Sequence, residues 1–111
     1  MTVEETLTSV IARFNRHAEK NPAVAEELDG IARTIQIHLT DEGTYAVDLA
    51  KGRLLNLRSG PAAKADVRIT TDAHTFDLLV KKEIGPMKAI VTRKLAIEGS
   101  LEDKLLFRKL L

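Results

Sequence analysis

The chain has no cysteine and no tryptophan, and only four of its 111 residues are aromatic: Phe14, Tyr45, Phe76 and Phe107. The first absence excludes disulfides and thiolate metal sites, and fits a reducing compartment such as the cytoplasm. The scarcity of rings means that any interior is built from Leu, Ile, Val and Ala. Long apolar runs are missing as well, so nothing approaches the roughly 20 residues of a membrane span. The N-terminus opens on Glu4 and Glu5 rather than a basic segment, and no signal peptide is expected. Glycine-rich phosphate loops of the G-x-G-x-x-G or G-x-x-x-x-G-K kind do not occur.

Chemistry is equally sparse. His17, His38 and His74 are scattered, and none has a second histidine at metal-ligand spacing. Ser9, Ser59 and Ser100 do not stand in a strand-to-helix elbow. The acid pairs Glu4-Glu5, Glu26-Glu27 and Glu102-Asp103 are adjacent on helices, where neighbouring side chains diverge. The expectation is a protein that is not an enzyme and uses no metal and no cofactor. With few aromatics and a net charge of +1, nucleic-acid binding is not expected either. The charge is uneven, however: residues 73–111 hold eight Lys/Arg against five Asp/Glu. Such a surface is either plain solvated charge or mildly attractive to anionic headgroups.

What is present is a dense series of element signals. Thr2 and Glu5 have capping-box spacing ahead of an apolar stripe, Val3, Leu7, Val10, Ile11, Phe14 and Ala18. Asn21-Pro22 starts a short helix that ends at Gly30. Ile31–Thr40 alternates, with Ile31, Ile35, Ile37 and Leu39 on one face, broken near its start by Arg33, which is placed where it still reaches water. Tyr45, Val47 and Leu49 alternate next, and Leu54–Arg58 completes a three-strand meander across the turns Asp41-Glu42-Gly43 and Lys51-Gly52. Val67, Ile69 and Thr71 mark a fourth strand, Thr71 or Asp72 caps a helix carrying Phe76, Leu79 and Val80, and Pro86 starts another with Met87, Ile90 and Val91. Leu95 and Ile97 form a fifth strand, Gly99 turns the chain, and Ser100 caps a last helix. That helix carries Leu101, Leu105, Leu106, Phe107, Leu110 and Leu111 in several directions. Either it is sunk in the fold or part of it meets a partner or ligand.

The pattern Ala65-Asp66-Val67 with Ile69, Thr71-Asp72 and Phe76, then Pro86 and Ala89, then Lys94-Leu95-Ala96-Ile97-Glu98-Gly99, resembles the sterol carrier protein-2 family, across nearly the whole chain. Two positions depart from the family pattern: Arg93 stands where Gly is usual, and Ser100 where Asp is usual. The resemblance implies a single α+β domain over residues 1–111, with a mixed five-stranded sheet, helices on one face and an apolar tunnel between them. It implies non-catalytic binding or transfer of a sterol, fatty acid, fatty acyl chain or isoprenoid. The lining expected from the sheet is Ile35, Ile37, Tyr45, Val47, Leu57 and Ile69; from the helices, Phe76, Leu79, Met87, Ile90, Leu105 and Leu106. Lys88, Lys104 and Arg108 are the candidates for a headgroup. Each apolar position is equally open to a plain core role. The competing expectation is a homodimeric or accessory module of a lipid-metabolising enzyme with no ligand of its own; a transient membrane surface is a further possible partner.

Overall fold

In the computed structural model, residues 2–100 and 102–103 are described. The element order is α1 (Val3–Lys20), α2 (Pro22–Glu27), β1 (Arg33–Leu39), β2 (Gly43–Ala50), β3 (Arg53–Ser59), β4 (Val67–Thr71), α3 (Ala73–Val80), α4 (Pro86–Val91) and β5 (Leu95–Glu98). The expected terminal helix falls outside the described residues, apart from its first turn.

The strands form one mixed sheet in the order β3-β2-β1-β4-β5. Hairpins join β1 to β2 and β2 to β3 antiparallel, whereas β4 lies parallel to β1, with Ile37 opposite Ile69. A parallel neighbour needs a crossover rather than a hairpin. Residues 60–66 supply it, and the Ala62 N–H donates to Gln36 Oε1 at 3.1 Å on the polar face of β1. That face also carries Asp48, which accepts from Thr34, Asn56 and Arg58. The opposite face is apolar: Ile35, Ile37, Leu39, Val47, Leu49, Val67 and Ile69 are buried on it, and the helices cover it. This single-face burial is what the period-2 alternation encodes.

Local chemistry sets the boundaries. The Thr2 Oγ1 accepts from the Glu5 N–H, and Asp72 Oδ1 accepts from the Thr75 N–H at 2.6 Å, so α1 and α3 both start on side-chain caps. Ser100 Oγ accepts from the Asp103 N–H at 3.0 Å, the expected cap of the last helix. Asn21 makes no such bond, and α2 starts on Pro22 alone. Lys51 and Gly52 both have positive φ, as a two-residue hairpin of the primed type requires.

The meander departs from simple alternation at β3. Its register slips between Ala46 and Asp48, and Asn56 has φ +58. This bulge inserts one extra residue opposite Val47. It lets both Leu54 and Leu57 pack on the core side, although strict alternation would put them on opposite faces. Arg33 also differs from expectation. Its Nε donates to Asp103 Oδ1 at 2.7 Å, so its counter-charge is protein as well as water.

Candidate functional site

Over the middle of the sheet, α1, α2 and α3 do not close down on the apolar face. Between them lies a cavity of about 520 Å³. Its floor is Ile35, Ile37, Val47, Leu54, Ile69 and Leu95. Its roof includes Leu7, Val10, Ile11 and Phe14 of α1, and Phe76 and Leu79 of α3. Val24 and Leu28, from α2 and just beyond it, close one side. Toward the ends of the sheet the core is solid: Leu39 is fully buried and Leu49 1% exposed, and neither borders the cavity.

The sequence explains why space survives here. β-branched floor residues are short and stiff, and no Trp is present to reach across from the helices. The helix above is held at a fixed place by Asn15. Its Nδ2 donates to the Leu54 carbonyl, and its Oδ1 accepts from the Leu54 N–H, both at 2.9 Å. One amide side chain therefore acts as an extra strand residue on the edge of β3, and ties α1 to the sheet margin. The cavity wall is satisfied: among the described residues, no buried side-chain polar atom lacks a hydrogen-bond partner. Thr71, which borders the cavity, donates its hydroxyl to the Lys94 carbonyl at 2.8 Å. A wall of this kind offers contact to hydrocarbon and asks for no polar group.

Among the described residues, the charged side chains bordering the cavity are the exposed Arg13 of α1, Glu27, and Lys82 just beyond α3; the exposed His17 borders it too. Arg13 also donates to the Val80 carbonyl, at 3.5 Å. Among the described residues, no group of His, Asp and Glu is arranged to hold a metal ion.

Of the residues expected to line the site, Ile35, Ile37, Val47, Ile69, Phe76 and Leu79 border the cavity. Tyr45 and Leu57 do not; both pack against the core away from it. Met87 and Ile90 do not either, being 51% and 39% exposed. In α4 the buried residue is Ala89, and a six-residue helix places its larger apolar side chains on the other side. Lys88 is exposed on the same helix, away from the cavity. Leu105, Leu106, Lys104 and Arg108 lie outside the described residues. Leu54, hidden by the bulge, and Leu7, Val10, Ile11 and Phe14 of the α1 stripe border the cavity without having been among the expected lining residues. So do Arg13 and Lys82.

A mixed five-stranded sheet with helices over one apolar face places the chain in the α+β class. Residues 11–111 match the model of the SCP-2 sterol transfer family, and the chain belongs to that family. No curated protein matches it by sequence. Among solved structures, it is similar to palmitated SCP2L2 from Aedes aegypti, with a TM-score of 0.70 at 17% identity, covering 98% of this chain and 93% of that one. The ubiquinone synthesis protein UbiJ-SCP2 gives 0.65 at 14% identity, covering 93% and 90%. The stereoselective inverting sec-alkylsulfatase Pisa1 from Pseudomonas sp. gives 0.64 at 24% identity over 78% of this chain, but this chain spans only 14% of that protein. No helix among the described residues is long and apolar enough to cross a membrane.

Proposed function

We propose that the protein is a non-catalytic cytoplasmic carrier that holds one lipid chain, of fatty acid, fatty acyl, isoprenoid or sterol type, in the cavity between the sheet and α1–α3. The single observation that supports this most is the cavity itself. Its volume of about 520 Å³ falls within the roughly 300–1,000 Å³ of small-molecule sites. Each methylene that leaves water for such a wall contributes about 0.8 kcal/mol. A long acyl chain thus offsets the cost of ordering it. The lining is aliphatic and nearly free of directional partners, which favours tolerance of chain type over selectivity. The cations at the margin, Arg13 and Lys82, are the groups suited to a carboxylate or phosphate head, in place of Lys88.

Titration with a long-chain fatty acid tests the reading. Binding saturates at one per chain, and Leu79→Arg abolishes it while the far-ultraviolet dichroism is retained. Absence of binding, or binding indifferent to Leu79→Arg, overturns the proposal. The likeness to a small part of Pisa1 supports a second reading, an accessory module within a larger lipid-metabolising assembly. An empty cavity in a protein that purifies as a stable homodimer or bound to an enzyme favours that reading.

A further inference from the structure

The large apolar side chains exposed among the described residues all lie on one short helix. Met87 is 51% exposed, Ile90 39% and Val91 75%. Positions 87, 90 and 91 have i, i+3, i+4 spacing, so they share one face of α4, and that face points away from the protein. The buried residue on the helix is Ala89. An apolar stripe turned outward reverses the usual amphipathic arrangement.

Cations neighbour it in the sequence. Residues 81–94 hold five Lys/Arg and a single acid, Glu83. Lys81 is engaged with Asp77 at 3.0 Å, while Lys82, Lys88, Arg93 and Lys94 are exposed. Two of these sit at a backbone geometry that disfavours them. Lys82 has φ +60 and Arg93 has φ +61. Arg93 occupies the left-handed position just past α4, with its N–H on the Ile90 carbonyl and that of Lys94 on the Ala89 carbonyl. Glycine is the residue that position favours. An arginine there supplies charge at a cost in backbone energy.

We infer that the outward face of α4 is a docking surface for an anionic lipid bilayer, with Met87, Ile90 and Val91 entering the interface and Lys82, Lys88, Arg93 and Lys94 meeting the headgroups. Charge selects this occupant. A second copy of the chain across a two-fold axis would bring the same cations against themselves. A negative surface is what the arrangement complements, and apolar insertion with basic attraction is the physics of interfacial binding. Lys82 both flanks α4 and borders the cavity, so docking brings the margin of the cavity to the membrane. The inference stands apart from whether the cavity holds lipid.

Vesicle sedimentation of the full chain tests it, using phosphatidylcholine alone and phosphatidylcholine mixed with phosphatidylglycerol. The protein sediments with the mixed vesicles and not with the neutral ones, and added salt releases it. Replacing Lys88 or Lys94 by Gln lowers the partition about fivefold each. Val91→Asp, at an exposed site that leaves folding intact, abolishes it. Arg93→Gly raises the melting temperature and weakens vesicle binding, a pairing that a merely structural Arg93 does not give. Fatty acid titration of the same variants keeps its stoichiometry, which separates docking from cavity binding. Equal sedimentation with both vesicle types, or α4 variants that bind as the parent does, overturns the inference. So does a dimer that Val91→Asp dissociates, or slow amide exchange across α4 in the free protein, because each puts another protein segment on this face.

Discussion

Arg33 Nε donates to Asp103 Oδ1 at 2.7 Å, joining the first residue of β1 to the last described turn of the chain. Arg33 lies opposite Leu49, on the apolar face of the sheet, where a cation needs a partner. Asp103 is buried, and its N–H is held by Ser100, so the partner arrives already oriented. The hydrogen bond and the charge of Asp103 hold the guanidinium even more firmly protonated than usual. Removing the carboxylate by Asp103→Ala leaves a half-buried cation and costs about 1.5–3 kcal/mol. Denaturant unfolding of both single variants and of the double variant with Arg33→Ala gives the coupling directly; additive losses would show that the pair acts as two independent groups.

Asn15 makes a comparable long-range tie with stronger consequences for the site. Its amide exchanges two hydrogen bonds with the backbone of Leu54. Asn15→Leu, close in size but unable to pair, leaves the Leu54 N–H and carbonyl without that partner and costs about 2 kcal/mol. It also frees α1 to settle toward the floor of the cavity. Fatty acid affinity therefore falls along with stability, whereas Arg33 and Asp103 variants lose stability alone.

Gly99 follows the last strand at φ +157, and a Cβ there would lie 2.9 Å from the Asp66 carbonyl. Backbone on backbone leaves nothing flexible to give way. Gly99→Ala is expected to destabilise by about 1–3 kcal/mol, read as a lower melting temperature with unchanged secondary structure. A neutral result would mean that the β5 end and residue 66 move apart without cost.

Two carboxylates contribute to stability against acid. Hydrogen bonding from the Thr75 N–H, outweighing burial, holds Asp72 below its usual range. Burial raises Asp48, but the hydrogen bonds from Asn56 and Arg58, the Arg58 charge and the Thr34 hydroxyl outweigh it and leave its value lowered. A depressed folded value means that the contribution is fully present above the unfolded value of about 3.9 and is lost as pH falls through the folded one. Urea midpoints should thus be flat from neutral pH to about 5 and drop below about 4. Asp72→Asn should lower the neutral plateau and flatten that acid limb; an unchanged limb contradicts the assignment.

Much of this was legible in the amino-acid order because it is local. Thr2, Asp72 and Ser100 each serve an N–H three residues on, and such caps need no knowledge of the fold. The alternation in β1 and β4 likewise names its buried face without help. Three features were not legible. The Asn56 bulge changes the parity of β3, so Leu54 joins a face that counting assigns elsewhere. The Asn15–Leu54 pairing spans 39 residues and depends on where α1 lands. In α4 the spacing groups the apolar residues on one face but does not tell which face is buried, and they read as lining when they point outward. For Leu105, Leu106, Lys104 and Arg108, the expectations made from sequence lie outside the described residues.

Whether the centre is hollow is also open to a substitution test. Val47 is 3% exposed and borders the cavity, opposite Ile35. In a close-packed core, Val47→Phe costs about 1–3 kcal/mol through overpacking. Over an unfilled cavity the ring takes up space already present, so stability stays level or rises while fatty acid affinity falls. A loss of both would indicate a packed interior.

The most direct measurement is mass spectrometry of the purified full chain, first under native and then under denaturing conditions. The account predicts a native mass above that of the polypeptide by one lipid, released on denaturation, and absent from Leu79→Arg. A native mass equal to the bare chain that stays so after incubation with fatty acids, fatty acyl esters, isoprenoids and sterols would contradict it.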